Sequence, residues 1–198
     1  MMLATFSSAI EVVLLHEGFS KYTDDPADPG GPTRWGISLK FLKKMGDEDG
    51  DGWLDGDLDH DGDVDVDDIR AMTRKYSEGF YRSQFWDRYD YARLASGYVA
   101  TKIFDLSVNI GPGNAHRILQ RACRACDVDV VVDGILGPKT VAAANAGIPV
   151  PSSLGCNVRE VALLTACRSE AAGHYRGLAA RRSEFDVYLK GWLNRAYS

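Results

Sequence analysis

The sequence lacks the long apolar runs that membrane-spanning and secreted proteins need. The 198 residues contain no window of about 20 uninterrupted apolar residues, the length that crosses a bilayer. No Lys or Arg precedes Gly18, and Glu11 interrupts the apolar stretch there, which is not the pattern of a secretory signal. The sequence therefore predicts a chain that is made in the cytoplasm and has no transmembrane segment.

Cysteine is scarce, and its spacing does not predict a disulfide framework or a zinc site. Cys123 and Cys126 form a C-x-x-C, but they share one stripe of a helix predicted over 114–126 with small and aliphatic residues. No second pair of ligands lies at a suitable spacing for zinc. We therefore expect the two to be core side chains, and Cys156 and Cys167 to be reduced thiols as well.

Basic residues are absent from one segment, between Asp47 and Asp68. This segment holds 12 of the 28 acidic residues, so the remaining 16 stand against all 23 Lys and Arg, a net charge of +7 for the rest of the chain. A basic body suits an anionic partner such as a cell wall or a nucleic acid. No DNA-reading helix, zinc finger or RNA-binding signature is present, so nucleic acid is not predicted as the partner.

The acidic segment contains a 12-residue EF-hand-like pattern with Gly62 at its sixth position. Acidic residues occupy positions 1, 3, 5, 7, 9 and 12, namely Asp57, Asp59, Asp61, Asp63, Asp65 and Asp68. A hard cation takes six to eight oxygen ligands, and a glycine at position 6 permits the sharp turn between them. The pattern predicts a Ca²⁺ site, followed by an exiting helix over 67–76. Asp at position 12, where most EF-hands have Glu, resembles dockerin modules and predicts weaker coordination.

A second, incomplete loop precedes the first. It begins at Asp47, has Gly52 at position 6 and Leu58 at position 12, and offers the carboxylates of Asp47, Asp49, Asp51 and Asp55. This second loop predicts either a weaker Ca²⁺ site or additional carboxylate ligands for the ion of the first loop. The alternative for the whole segment is a solvated acidic linker, in which the carboxylates would repel one another.

The N-terminal stretch predicts an amphipathic helix that ends in a carboxylate. Phe6, Ile10, Val13 and Glu17 recur at spacings of four, three and four, which is one stripe of a helix. An apolar neighbourhood disfavours the charged form of a carboxylic acid, so we expect Glu17 to retain its proton to a higher pH and to serve as a proton donor.

A loop rich in Asp, Pro and Gly follows, and it carries Asp24, Asp25, Asp28 and Thr33. A buried acid beside a rigid loop that carries a second carboxylate is the arrangement that hydrolysis of a glycosidic bond requires. The alternative is that Glu17 is a helix end in solvent or one member of an ion pair.

The same residues resemble the signature of the glycoside hydrolase family 108 N-acetylmuramidases, many of them phage endolysins. The resemblance is carried by Glu17, Gly18, Phe19, Asp25, Pro26, Ala27, Asp28, Pro29, Gly30, Gly31, Thr33, Gly36 and Ile37. It implies a catalytic triad of Glu17, Asp28 and Thr33. Ten residues separate Glu17 from Asp28 where the family usually has eight, so Asp25 remains a rival for the second carboxylate.

A segment in the second half of the chain, from Phe104 to Ala146, resembles the peptidoglycan-domain segment that accompanies this family. It begins within a predicted helix over 98–110 and includes the next one, which Asn114 can cap. The resemblance implies that Asn109 lies near substrate. Tyr22 and Trp35 are candidate platforms for sugar rings, because each combines a flat apolar face with a polar edge.

These observations predict a mainly α, lysozyme-like two-lobed fold with a minor β element. Residues 1–46 would form the catalytic helix and loop, 47–69 the EF-hand-like insert, and 70–198 the helical lobe. The expected activity is hydrolysis of the bond between N-acetylmuramic acid and N-acetylglucosamine in peptidoglycan, by a monomer that acts after release from the host cytoplasm. The alternatives are a lytic transglycosylase and a non-catalytic, calcium-dependent wall-binding module.

Overall fold

The structure, a computed structural model, describes residues 4–25, 30–47, 50–148 and 157–198. These residues are mainly helical and contain one small antiparallel sheet, which confirms the predicted mainly α, lysozyme-like class. They fall into two compact units, one within 14–81 and the other made of 1–13 and 82–198. Among the described residues, no helix combines the length and the apolar character needed to cross a membrane.

The unit within 14–81 is built around a three-stranded sheet with short helices after it. The sheet order is β1-β2-β3, with Thr23 opposite Thr33 and Arg34 opposite Ile37. The elements are the end of α1 (Phe6–His16), β1 (Tyr22–Thr23), β2 (Thr33–Arg34), β3 (Ile37–Ser38), α2 (Leu39–Met45), α3 (Val66–Ala71) and α4 (Arg74–Tyr81). The Ser38 hydroxyl caps α2 by accepting a bond from the Phe41 amide.

The second unit is a group of helices packed around α8. Its elements are the start of α1, a π-helical segment (Arg82–Asp87), a 3₁₀ turn (Tyr91–Arg93), α5 (Gly97–Ile110), α6 (Pro112–Ala125), α7 (Pro138–Asn145), α8 (Val158–Arg181), a second 3₁₀ turn (Ser183–Phe185) and α9 (Asp186–Tyr197). Helix α8 packs against α5, α6 and α9. The apolar stripe of α5 is buried, as its spacing predicts.

The predicted apolar stripe of α1 faces the protein interior. Ile10 and Val13 are buried, and Phe6 is half-buried. The ring of Phe6 lies 6.0 Å from that of Trp86 and 6.1 Å from that of Phe104, within the second unit. Trp86 therefore belongs to a buried aromatic cluster.

Two helix boundaries differ from the sequence predictions. The helix expected over 67–76 is interrupted at Met72, whose ψ of 124° is extended, and Thr73 restarts it by accepting a bond from the Tyr76 amide. Helix α6 begins at Pro112 rather than after an Asn114 cap, because proline has no amide hydrogen and suits the first helical position. The Asn114 side chain instead donates to the Ile110 carbonyl.

A buried ion pair fixes the C-terminal helix. Asp105 on α5 is fully buried and accepts bonds from the Arg195 guanidinium, at 2.9 Å from Nη2 and 3.1 Å from Nε. Lys102 donates to the Arg195 carbonyl at 2.7 Å, and Trp192 stacks on Tyr175 with ring centroids 5.4 Å apart. Helix α9 therefore packs against α5 and α8 through these contacts.

A single glutamine holds the irregular segment between α6 and α7. The Gln120 side chain donates to Asp133 Oδ1 at 2.7 Å and to Thr140 Oγ1 at 3.0 Å, and it accepts from the Gly134 amide at 2.8 Å. Gln120 is fully buried, so its polar atoms need these partners. The contacts fix Gly134 beside α6.

The cysteines in the described residues are free thiols. Cys123 and Cys167 are buried, and burial raises the pKa of the Cys123 thiol to about 11, so it is protonated at neutral pH. Cys126 is half-buried at the end of α6. Cys156 lies outside the described residues.

Candidate active site and acidic loops

Glu17 follows the last residue of α1 and lies against the hairpin that joins β2 to β3. It is half-buried, less enclosed than its place on an apolar stripe suggests. A Cβ atom added to Gly36 would lie 2.7 Å from both Cβ and Cγ of Glu17, so the side chain packs directly on the Gly36 backbone. This contact restricts the positions that the Glu17 side chain can adopt.

The turn beneath Glu17 has an unusual backbone. Trp35 and Gly36 connect β2 to β3 with φ angles of 55° and 76°, as in a two-residue type I′ turn. A positive φ is uncommon for a residue as bulky as Trp35 and costs about 1–3 kcal/mol. The buried Tyr81 hydroxyl donates to the Trp35 carbonyl at 2.8 Å and thereby holds this conformation.

Thr33 lies on the same hairpin, three residues before Gly36. It is half-buried in β2 opposite Thr23, and its hydroxyl donates to the Gly31 carbonyl at 3.0 Å. Asp28, the proposed partner of Glu17, lies outside the described residues, and its rival Asp25 is exposed. The described part of the predicted triad therefore consists of Glu17, which packs on Gly36 in the turn of this hairpin, and Thr33, which lies in its first strand.

The two candidate sugar platforms differ in accessibility. Tyr22 exposes 37% of its surface, and its hydroxyl donates to Asp24 Oδ2 at 3.3 Å. Trp35 exposes only 9%, and its indole nitrogen is buried with no hydrogen-bond partner among the described residues. Tyr22 therefore offers the larger accessible ring.

Asn109, the candidate substrate residue of the second unit, is exposed near the C-terminus of α5. Its Oδ1 accepts a bond from the Tyr175 hydroxyl at 2.8 Å, and Tyr175 is itself fully buried. A rigid tyrosine on α8 therefore orients the Asn109 amide, which suits a polar group that makes a directed contact.

The main acidic loop brings its carboxylates into two groups. Asp57, Asp59 and Asp61 form the first, and Asp63, Asp65 and Asp68 form the second; within each, one oxygen per residue lies within 4.8 Å of the others. Asp57 and Asp68 are buried, at 4% and 1% exposure. Asp68 accepts bonds from the Leu58 and Asp65 amides, both at 2.6 Å. The donors are all oxygens, the ligand type of Ca²⁺ and Mg²⁺.

The incomplete loop shares one feature with the main loop. Asp57 accepts a bond from the Gly62 amide at 2.9 Å, and Asp47 accepts one from the Gly52 amide at 3.0 Å. Both glycines have positive φ, 102° and 91°, as the sharp turn at position 6 requires. Asp51 and Asp55 of this loop are also described, whereas Asp49 lies outside the described residues.

Burial and neighbouring negative charges raise pKa values within the main acidic loop. Burial and the neighbouring charge of Asp61 raise the pKa of Asp59, and the charges of Asp61 and burial raise the pKa of Asp63. Burial and the charges of Asp55 and Asp68 also raise the pKa of Tyr76 to about 12. The cluster therefore carries negative charge that a bound cation would neutralise.

Sequence reasoning missed two residues that position Glu17. Gly36 was present in the motif, but a spacing pattern does not reveal that its missing side chain makes room for Glu17. Tyr81 carried no local signal, because it contacts a residue 46 positions away along the chain.

Comparisons with known proteins agree with this arrangement. A family model described as Glycosyl hydrolase 108 matches residues 10–111, and one described as Predicted Peptidoglycan domain matches residues 114–197. No curated protein matches.

Among solved structures, the chain is similar to Brucella abortus SagA, with 24% sequence identity and a TM-score of 0.64. The similarity covers 97% of this chain and 89% of that one, and it concerns the fold. The glycoside hydrolase match spans more than half of the sequence and includes Glu17, Thr33 and Gly36. The chain therefore belongs to glycosyl hydrolase family 108, and it is a glycoside hydrolase that acts on peptidoglycan.

Proposed function

We propose that the enzyme is an N-acetylmuramidase, which hydrolyses the β-1,4 bond between N-acetylmuramic acid and N-acetylglucosamine. The observation that carries the proposal is the packing of Glu17 on Gly36, which holds a carboxyl group at the hairpin that also bears Thr33. General acid catalysis needs a carboxyl group in a fixed place next to the leaving oxygen.

In the proposed mechanism Glu17 protonates the leaving glycosidic oxygen. Asp28 positions or activates a water molecule on the other face of the sugar, and the Thr33 hydroxyl helps to hold that water. Asp25 is the alternative second carboxylate. Tyr22 and Trp35 contact sugar rings, and Asn109 donates or accepts a hydrogen bond to substrate.

Analysis of the products tests the bond specificity. Purified sacculi digested with the wild-type chain should release fragments with reducing N-acetylmuramic acid ends, detected by borohydride reduction and mass spectrometry. Anhydromuramic ends would identify a lytic transglycosylase, which uses Glu17 without a second carboxylate. Retention on sacculi without release of sugar ends would identify a wall-binding module and contradict the proposal.

We also propose that the acidic insert binds Ca²⁺. Asp57, Asp59, Asp61, Asp63, Asp65 and Asp68 would hold one ion, and Asp47, Asp49, Asp51 and Asp55 a second, weaker one. The support is the all-oxygen donor set and the two groups of three carboxylates whose oxygen atoms lie within 4.8 Å of one another. A bound ion would supply the opposite charge and thereby stiffen the segment between α2 and α3.

Calcium should raise the melting temperature of the protein, because an ion that binds only the folded chain stabilises it by mass action. At 100 times the dissociation constant the gain is about 2.7 kcal/mol, roughly 5–10 °C for a chain of this size. Melting curves in Ca²⁺ and in chelator measure it. Asp57→Asn should remove most of the shift, and Asp129→Asn, an exposed carboxylate outside the insert, should retain it. Equal midpoints in Ca²⁺ and chelator would contradict the assignment.

The proposed biological role is that of an endolysin. The enzyme would be made in a host cytoplasm, where Ca²⁺ is scarce, and would act as a monomer on the cell wall after release. Clearing of a wall suspension with and without added Ca²⁺ would show whether the ion affects activity as well as stability.

A further inference from the structure

A cationic groove lies between α6 and α8, within the part of the chain that matches the peptidoglycan domain. It encloses about 390 Å³ and is lined by Arg117 and Arg121 from α6 and by Arg181 and His174 from α8. This volume is within the range of sites for small molecules. Among the described residues none of the three arginines forms an ion pair.

The arginines are placed by the fold. A Cβ added to Gly134 would lie 3.0 Å from Cζ of Arg117, so this guanidinium packs on the loop that Gln120 holds against α6. Arg121, Arg181 and His174 line the same groove, and burial together with the two arginine charges lowers the pKa of His174. The positive charge is therefore concentrated in the groove.

Two glycines leave the groove open. Gly173 and Gly177 line it one turn apart on α8, where each costs about 1 kcal/mol relative to alanine. A glycine within a helix often allows a neighbouring element to pack closely against the backbone. A Cβ added to Gly173, however, would meet nothing within 4 Å. A Cβ added to Gly177 would lie 4.0 Å from Nη2 of Arg181, and Gly173 is exposed, so neither glycine relieves a clash and a side chain at either position would extend into the groove.

Glu170 also lines the groove, and its carboxylate limits the kind of anion that fits. A polyphosphate would meet repulsion from Glu170. A short peptide with several carboxylates and one amino group would pair its carboxylates with the arginines and its ammonium group with Glu170. The peptide strands attached to the glycan of peptidoglycan have this composition.

We propose that the groove between α6 and α8 binds the carboxylate-bearing peptide strands of peptidoglycan. This inference deepens the proposed function, since it names the part of the polymer that this unit recognises, and it rests on that function for the identity of the polymer.

Titration calorimetry of the full wild-type chain with a soluble tripeptide, N-acetyl-alanyl-γ-glutamyl-diaminopimelate, tests the proposal. The acetyl group replaces the amide bond to the glycan, so that one free amino group remains. Arg117→Gln, Arg121→Gln and Arg181→Gln should each weaken binding by about tenfold, as expected for loss of a charge-assisted hydrogen bond. Arg124→Gln removes the same charge from α6 outside the groove and should bind as the wild type does. Amidation of the tripeptide carboxylates should abolish binding.

Gly173→Leu provides a second variant that preserves the charge. Leucine should fill the groove and block the tripeptide without lowering the melting temperature, because it favours the helix more than glycine does. Tripeptide binding that is unaffected in Gly173→Leu and in the arginine variants would overturn the proposal, as would inorganic phosphate that binds as tightly as the tripeptide. Calorimetry does not require hydrolysis, so a wild-type chain that releases no reducing ends would contradict the proposed function and leave this result standing.

Discussion

Glu17→Gln is expected to reduce the hydrolysis of peptidoglycan by about 100- to 10,000-fold, the range that loss of a general acid produces. Glutamine has the same shape as glutamic acid and can pack on Gly36 in the same way, but its amide does not deliver a proton to the leaving oxygen. The melting temperature should stay close to that of the wild type, since the side chain is half-buried and its contact with Gly36 involves carbon atoms.

The rate is measured by the release of reducing ends from purified sacculi. Glu11→Gln is the matched control, because it removes an exposed carboxylate from the same helix at a distance from the hairpin. It should retain wild-type activity. A Glu17→Gln enzyme with near wild-type turnover would show that another residue donates the proton.

Gly36→Ala is expected to lower activity about 100-fold, the loss that a displacement of about 1 Å at a catalytic group can cause. The new Cβ would lie 2.5 Å from the Tyr81 hydroxyl and 2.7 Å from Cβ and Cγ of Glu17, distances that side chains do not tolerate. Either Glu17 or the turn must move. The variant should also lose about 1–3 kcal/mol of stability from the strained backbone.

Gly46→Ala separates the two effects of this substitution. Gly46 has a φ of 68°, close to the 76° of Gly36, but an added Cβ there would meet nothing within 4 Å. Because Gly46 combines this φ with a ψ of −143°, a region close to the one that glycine alone adopts readily, the variant should lose at least as much stability as Gly36→Ala but keep its turnover. Urea unfolding and single-turnover rates on sacculi distinguish the outcomes, and equal activities of the two variants would show that Gly36 does not position Glu17.

Local patterns predicted the helices well where a buried stripe defined them. Helix α5 was expected over 98–110 and extends over Gly97–Ile110, because its apolar spacing matches the face that α6 and α8 cover. The helix expected over 67–76 was wrong in its continuity. Thr73 offers the backbone a hydroxyl that competes with the helical hydrogen bond, and a periodicity count does not include that competition.

The site was predictable to the extent that its residues are adjacent in sequence. Glu17, Asp28 and Thr33 were implied as a triad by the resemblance to family 108, whose signature lies within one continuous stretch of the sequence. The position of Asp28 remains a prediction, because Asp28 lies outside the described residues. The cysteine pair at 123 and 126 and the acidic loops were likewise recognised from spacing alone.

The sequence by itself determined the helical class, the acidic loops with glycine at their sixth positions, and membership of a glycoside hydrolase family, since each of these is written in residues that are close together along the chain. Only the tertiary structure decided that Gly36 supports Glu17, that Tyr81 holds the Trp35 turn, and that arginines of α6 and α8 share a groove with Glu170. The physical reason is that these contacts join distant positions, and packing of the whole chain selects which of many polar and small residues meet.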